Sequence, residues 1–191
     1  MRQVLTIIDD RLADAGGCVP LKGHGDEHAY VLGEKEFSLP DGFDFDLMLT
    51  NAGDGILATG IVCAHVLSTC DRCLDEASFD IAGEVDEYYL FKAPDDGVEL
   101  GDDEDEVDFS LVGDDHTIDL TDALASAILM ETPFVVLCHE GCKGLCPICG
   151  ANLNHTDCGH AAQVEARRER ERMESSPFAA LRDLRLEGED T

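Results

Sequence analysis

Apolar residues occupy every second position over residues 43–49, Phe-Asp-Phe-Asp-Leu-Met-Leu. This predicts a strand with one face in a core and the other in water. Asn51-Ala52-Gly53-Asp54-Gly55 supplies turn chemistry. Residues 56–69, rich in β-branched and small apolar side chains, predict a long second strand that ends at Cys70. Phe79-Asp80-Ile81 and residues 84–91 predict a third strand returning antiparallel. Residues 1–33 predict one short starting strand within residues 4–8 and then an irregular loop, because residues 13–29 hold four glycines, a proline and two histidines. Within residues 117–130 the character changes, and Thr121 predicts the cap of a helix with Leu124, Ala127 and Ile128 on one face and Pro133 as its stop. Residues 161–173 predict an exposed helix in which Arg167, Arg168, Arg170 and Arg172 are balanced by Glu165, Glu169, Glu171 and Glu174. After Ser175-Ser176-Pro177, residues 178–184 predict a short amphipathic tail that docks back onto the core.

These elements predict an α+β fold, an antiparallel β-meander or small barrel followed by helices. The chain divides into a mainly β region (1–92), an acidic mobile loop (93–117), a helix with a cysteine-rich region (118–160), and a charged helix with its tail (161–191). With 191 residues and 44% hydrophobic content, the chain can bury one core with a small satellite. No apolar run approaches the roughly 18 residues needed to cross a bilayer.

Charge changes the functional picture. The formal net charge is -29, and eleven of the 22 positions from 94 to 115 are acidic. Such a chain repels phosphate backbones, which disfavours direct binding of naked nucleic acid. The excess is either a solvated acidic surface or an attractor for a basic protein partner. The adjacent carboxylates Asp102, Asp103, Glu104 and Asp105 read as a solvated loop rather than a paired-carboxylate site.

The chemistry lies in the cysteines. Residues 138–160 hold five of the nine, with a histidine at the end: Cys138, Cys142, Cys146, Cys149, Cys158 and His160. Thiolates and imidazole at these spacings suit a tetrahedral soft cation, with zinc the default. Cys146-Pro147-Ile148-Cys149-Gly150 reads as a zinc knuckle, in which Gly150 relieves the tight backbone. Cys70-Asp71-Arg72-Cys73 is a second pair that needs partners from elsewhere. If Cys146, Cys149, Cys158 and His160 form one tetrahedron, then Cys70, Cys73, Cys138 and Cys142 form another. Other partitions, such as Cys138 in place of Cys158, satisfy the spacing as well, so one or two ions are expected.

Three rival readings compete. A disulfide framework suits secreted domains, but residues 1–10 show no secretory signal pattern and nine is an odd count, so a cytoplasmic, reducing setting is expected. A redox or zinc-sensing role for Cys70 and Cys73 lacks the βαβ context of thioredoxin-like motifs. A catalytic zinc needs an open coordination position and a base, for which Glu140, Asp157 or His139 can be drafted. Cys18 and Cys63 are left over, and Cys63 is expected in the core. His24 and His28 read as ordinary exposed loop histidines.

One family has these residues in this order. Cys70-Asp71-Arg72-Cys73-Leu74, Asp119-Leu120 opening a helix that ends in Glu131-Thr132-Pro133, then Cys142-Lys143-Gly144-Leu145-Cys146-Pro147, Cys149-Gly150 and Asn152-Leu153-Asn154 resemble the YceD-like family of large ribosomal RNA subunit accumulation proteins. The resemblance runs from about Phe43 to Leu184, with Ser176-Pro177-Phe178-Ala179-Ala180-Leu181 similar to the family's closing segment. It implies a non-enzymatic cytoplasmic protein needed for accumulation or processing of large-subunit ribosomal RNA. Together with the net charge of -29, the resemblance makes the ribosome precursor or a basic ribosomal protein the expected partner. His160 stands where many relatives have cysteine, and Ser176 where an acidic residue is usual.

Overall fold

The computed structural model describes residues 2–93 and 110–176. The expected tail at 178–184 and most of the acidic segment lie outside the described residues. In chain order the strands are β1 (Leu5–Ile7), β2 (Cys18–Gly25), β3 (Ala29–Leu32), β4 (Lys35–Ser38), β5 (Phe43–Asn51), β6 (Gly55–Thr69), β7 (Glu76–Leu90), β8 (Ser110–Leu111) and β9 (Thr117–Asp119). The helices are α1 (Thr121–Glu131) and α2 (Ala161–Ser175).

The fold is α+β around an antiparallel meander. β6 and β7 pair along their whole length, from Gly55↔Leu90 to Thr69↔Glu76. Fifteen residues of strand make this hairpin about 50 Å long. On the other side of β6, β5 pairs with the first half and β4 joins at Ser38↔Leu67. β2 extends the sheet beyond β5, β3 beyond β4, and β8 lies parallel to the end of β7. The sheet is open, which settles the choice between meander and barrel. β1 and β9 form a separate two-stranded ribbon.

Strict alternation explains the layering. Val62, Ala64 and Val66 of β6 and Ala77, Ile81, Gly83 and Val85 of β7 are buried, while the residues between them are outward or only partly covered. α1 covers the buried face with Leu124, Ala127 and Ile128. The helix backbone passes directly over Gly83, where an added Cβ would lie 2.4 Å from the Ala127 carbonyl oxygen. Only glycine admits the helix backbone at that point. On β3, Tyr30 stacks on Phe37 with ring centroids 5.0 Å apart. Its hydroxyl meets the Thr132 hydroxyl at 2.8 Å, which fastens the end of α1 to the β3–β4 hairpin.

Three sequence expectations require correction. The glycine-rich segment expected as loop is strand β2, and His24 sits on it. Gly23 and Gly25 face Phe45 and Phe43 across the ladder, and the phenyl rings occupy the space where their Cβ atoms would be. Cys63 is exposed, not in the core. It follows the fully buried Val62, so the pleat turns it outward. Thr121 is the first residue of α1, not its cap. The Asp119 carboxylate accepts its backbone N–H at 2.9 Å and its hydroxyl proton, and the Thr121 oxygen accepts from the Val4 N–H at 2.8 Å.

Candidate metal centres

The tip of the β6–β7 hairpin is the six-residue turn 70–75. Its backbone closes by two bonds, from the Leu74 N–H to the Cys70 carbonyl at 3.0 Å and from the Cys70 N–H to the Asp75 carbonyl at 2.8 Å. Residues 146–151 repeat this pattern. The Gly150 N–H donates to the Cys146 carbonyl at 2.8 Å, and the Cys146 N–H to the Ala151 carbonyl at 2.8 Å. Both turns place a left-handed residue after the second cysteine, Leu74 at φ 64° and Gly150 at φ 72°. The two pairs are therefore one motif used twice, with leucine standing in for glycine in the first. That equivalence was hidden in the sequence because Leu74 carries no turn signal.

Each turn aims amide protons at its first sulfur. Burial disfavours a Cys70 thiolate, but the N–H groups of Arg72, Cys73 and Cys138 overcome it and bring the pKa down to about 6. The N–H groups of Ile148 and Cys149 lower that of Cys146 to about 6. Burial pushes the Cys73 and Cys138 thiols up, and neighbouring sulfurs add to the rise at Cys73.

The eight sequence candidates fall into two groups. Cys70, Cys73, Cys138 and Cys142 have all their sulfurs within 4.8 Å of one another, and so do the ligand atoms of Cys146, Cys149, Cys158 and His160. In the first group Cys70 Sγ lies 3.8 Å from Cys142 Sγ, and Cys73 Sγ lies 3.5 Å from Cys138 Sγ. In the second, Cys146 Sγ is 3.8 Å from His160 Nδ1. A disulfide requires about 2.05 Å, whereas the edge of a tetrahedron built on Zn–S bonds of about 2.3 Å is about 3.8 Å. All nine cysteines are free thiols. The chemistry and spacing of both donor sets fit zinc. Cys138 lies with the hairpin cysteines, not in place of Cys158.

The groups differ in depth. Cys70, Cys73 and Cys142 are 0%, 3% and 3% exposed and belong to the hydrophobic core cluster. Cys149 is exposed, and Cys158 and His160 are half-buried.

Several residues to which the sequence assigned no role hold the segments together. The Asp71 carboxylate accepts from the Val136 N–H at 2.6 Å and from Lys35 Nζ at 2.7 Å. The Arg72 carbonyl accepts from the Leu145 N–H at 2.9 Å, and the Arg72 guanidinium donates to the Cys142 carbonyl at 3.1 Å. Asn152 Nδ2 donates to the Asp75 carboxylate at 2.7 Å. Asn154 Nδ2 donates to Cys142 Sγ at 3.3 Å, which favours the thiolate there, while its Oδ1 accepts from the Lys143 N–H at 2.8 Å. The available signal was their position, since all lie inside or beside the cysteine strings. Of the bases drafted for catalysis, Glu140 is exposed, Asp157 accepts from the Gly159 N–H at 3.0 Å, and His139 Nδ1 lies 3.1 Å from Cys138 Sγ. His24 and His28 join neither group.

An antiparallel sheet whose long hairpin ends in a cluster of four cysteines, with a knuckle of three cysteines and a histidine beside it, defines an α+β protein with two candidate metal centres. The chain belongs to the family of the large ribosomal RNA subunit accumulation protein YceD, whose family model matches residues 58–185. An uncharacterized protein of Mycobacterium tuberculosis and one of Mycobacterium bovis are each 34% identical over 124 residues, covering 65% of this chain and 58% of the relative. A Mycobacterium leprae protein is 32% identical over 110 residues, covering 58% of this chain and 48% of its own length. The matches thus span about half the length of these curated relatives. No solved structure matches significantly. No helix among the described residues is long and apolar enough to cross a membrane.

Proposed function

We propose that this chain is a non-catalytic factor for the accumulation and processing of large-subunit ribosomal RNA, and so for ribosome biogenesis in the cytoplasm. Of two structural zinc ions, one would rivet the segment that leads into the C-terminal knuckle to the sheet and the other would close the knuckle itself. The observation that carries this reading is the sorting of eight soft donors into two complete quartets. Cys70, Cys73, Cys138 and Cys142 would hold one ion; Cys146, Cys149, Cys158 and His160 would hold the other. A bound zinc supplies a cross-link here, because four protein donors leave no position for water or substrate. The first quartet joins residues 65 and 72 positions apart, so it acts as a long-range staple.

The family description supports the ribosomal setting. With a net charge of -29, the chain would meet the ribosome precursor through a basic ribosomal protein rather than through naked RNA. Recovery from cell extract at low and at moderate salt tests this. Basic ribosomal proteins are expected in the bound fraction; ribosomal RNA captured without any protein bridge would contradict the reading. The rival, a zinc-dependent ribonuclease, predicts that Glu140→Ala or Asp157→Ala abolishes turnover while fold and metal persist. The present reading predicts no effect of either change on ribosomal RNA accumulation.

A further inference from the structure

We propose that the open face of the sheet, from β2 across to β7, is a docking surface for an extended, basic, amphipathic segment of a partner protein. The inference rests on the protein-partner reading above and adds where the contact is made.

Register places the relevant side chains. Lys22, Asp46, Ile61 and Glu84 form one row across β2, β5, β6 and β7; Pro20, Met48, Thr59 and Asp86 form the next; His24, Asp44, Cys63 and Ala82 flank them on the other side. All these residues stand on the face opposite the buried core, and Met48 and Ile61 keep 41% and 48% of their surface exposed. They are diagonal neighbours across β5 and β6, about 7 Å apart by strand geometry. Two large apolar side chains at the centre of a polar sheet face are an interface core with a polar rim in miniature.

Charge selects the occupant. The rim carries Asp44, Asp46, Asp80, Glu84 and Asp86. Lys22 pairs with Asp46 at 2.5 Å, and His24 and His65 pair with Asp44 and Asp80 at 2.8 and 2.7 Å. Among the described residues Glu84 and Asp86 have no cationic partner. A second copy would bring carboxylates against carboxylates. A phosphate backbone or an anionic lipid surface is repelled for the same reason. An extended segment that carries both lysine or arginine and aliphatic residues along one side, at positions i, i+2 and i+4, satisfies both features, because alternate side chains of a strand face the same way.

The test titrates full-length, 15N-labelled protein, with its metal as purified, against a ten-residue peptide in which pairs of lysines alternate with pairs of valines, so that each side of the extended peptide carries both. A control peptide of equal charge has serine at the valine positions. At about 150 mM salt, amide shifts are expected at the outward positions of β5, β6 and β7, with the valine peptide binding about 10-fold more tightly than the control. Ile61→Ser and the double change Glu84→Lys with Asp86→Lys should each weaken binding about 10-fold and leave core amides unmoved. Equal affinity for both peptides, or shifts confined to other surfaces, overturns this docking face while the basic-partner reading stands. Failure of both peptides to bind overturns the face and weakens the partner reading with it.

Discussion

Asp71 and Val136 bond to each other twice. The Asp71 N–H donates to the Val136 carbonyl at 2.8 Å, and the Asp71 carboxylate accepts from the Val136 N–H at 2.6 Å. The hairpin tip and the segment that carries Cys138 are thus held in register by backbone and carboxylate as well as by whatever the sulfurs bind.

This contact gives the first prediction. Asp71→Ala strands the Val136 N–H and releases Lys35, and it should cost about 1 to 2 kcal/mol after allowance for partial exposure. Asp71→Asn keeps an acceptor and should cost less. Urea denaturation of the metal-loaded proteins measures both; an unchanged midpoint for Asp71→Ala would show that the metal alone sets the register.

Leu74 is strained in its turn. A leucine at φ 64° carries a steric penalty that Gly150, in the equivalent turn, does not. Leu74→Gly should therefore raise stability by up to about 1 kcal/mol, whereas Gly150→Ala should lower it by about as much. Thermal unfolding of the two variants should move in opposite directions. Movement in the same direction would refute the equivalence of the two turns.

Asp119 sets a pH dependence away from the cysteines. Burial raises its pKa, but bonds from Thr121 and Gln3 outweigh this and hold it below the usual carboxylate value. A group with a depressed folded pKa contributes stability that is full above its unfolded value, about 4, and is lost as pH falls through the folded value. Asp119→Asn should thus be less stable than the parent at pH 6, with the gap closing below about pH 4. A gap that is constant with pH would mean that the carboxylate charge plays no part.

The two quartets should release their metal in order. Cys149 of the knuckle is exposed, whereas Cys70, Cys73 and Cys142 of the hairpin quartet are buried in the core and Cys138 is half-buried against it. A chelator should remove one equivalent quickly with the sheet intact and the second slowly, together with loss of tertiary structure. Cys73→Ser should accordingly destabilise the protein far more than Cys149→Ser. Zinc release followed beside near-ultraviolet circular dichroism decides this; single-phase release would make the two centres equivalent.

Much of this arrangement was legible in advance. Phe43 to Leu49 alternates cleanly, and β5 begins at Phe43. Leu124, Ala127 and Ile128 share a helical face by spacing alone and are the buried residues of α1. What local pattern could not show was tertiary. β2 looks like loop because Gly23 and Gly25 have poor strand propensity, and they fit only because Phe45 and Phe43 lie over them from the next strand. Cys63 looks like core because it sits among apolar residues in a strand, where the pleat alone decides direction. The knuckle could be read from one string, since its donors are close in sequence. The hairpin quartet could be reached only by counting the cysteines left over, because chain distance hides its contacts. Asp71, Asn152 and Asn154 stand in the strings that carry the family resemblance, but their roles, like that of Asp75, could not be read before their partners are seen.

The central claim is that two closed sets of protein donors each hold a structural cation. Elemental analysis of full-length, reduced protein, with anomalous scattering at the zinc edge to locate the ions, tests it most directly. Two zinc ions per chain are expected, one among Cys70, Cys73, Cys138 and Cys142 and one among Cys146, Cys149, Cys158 and His160. A folded protein with no stoichiometric ion would contradict it.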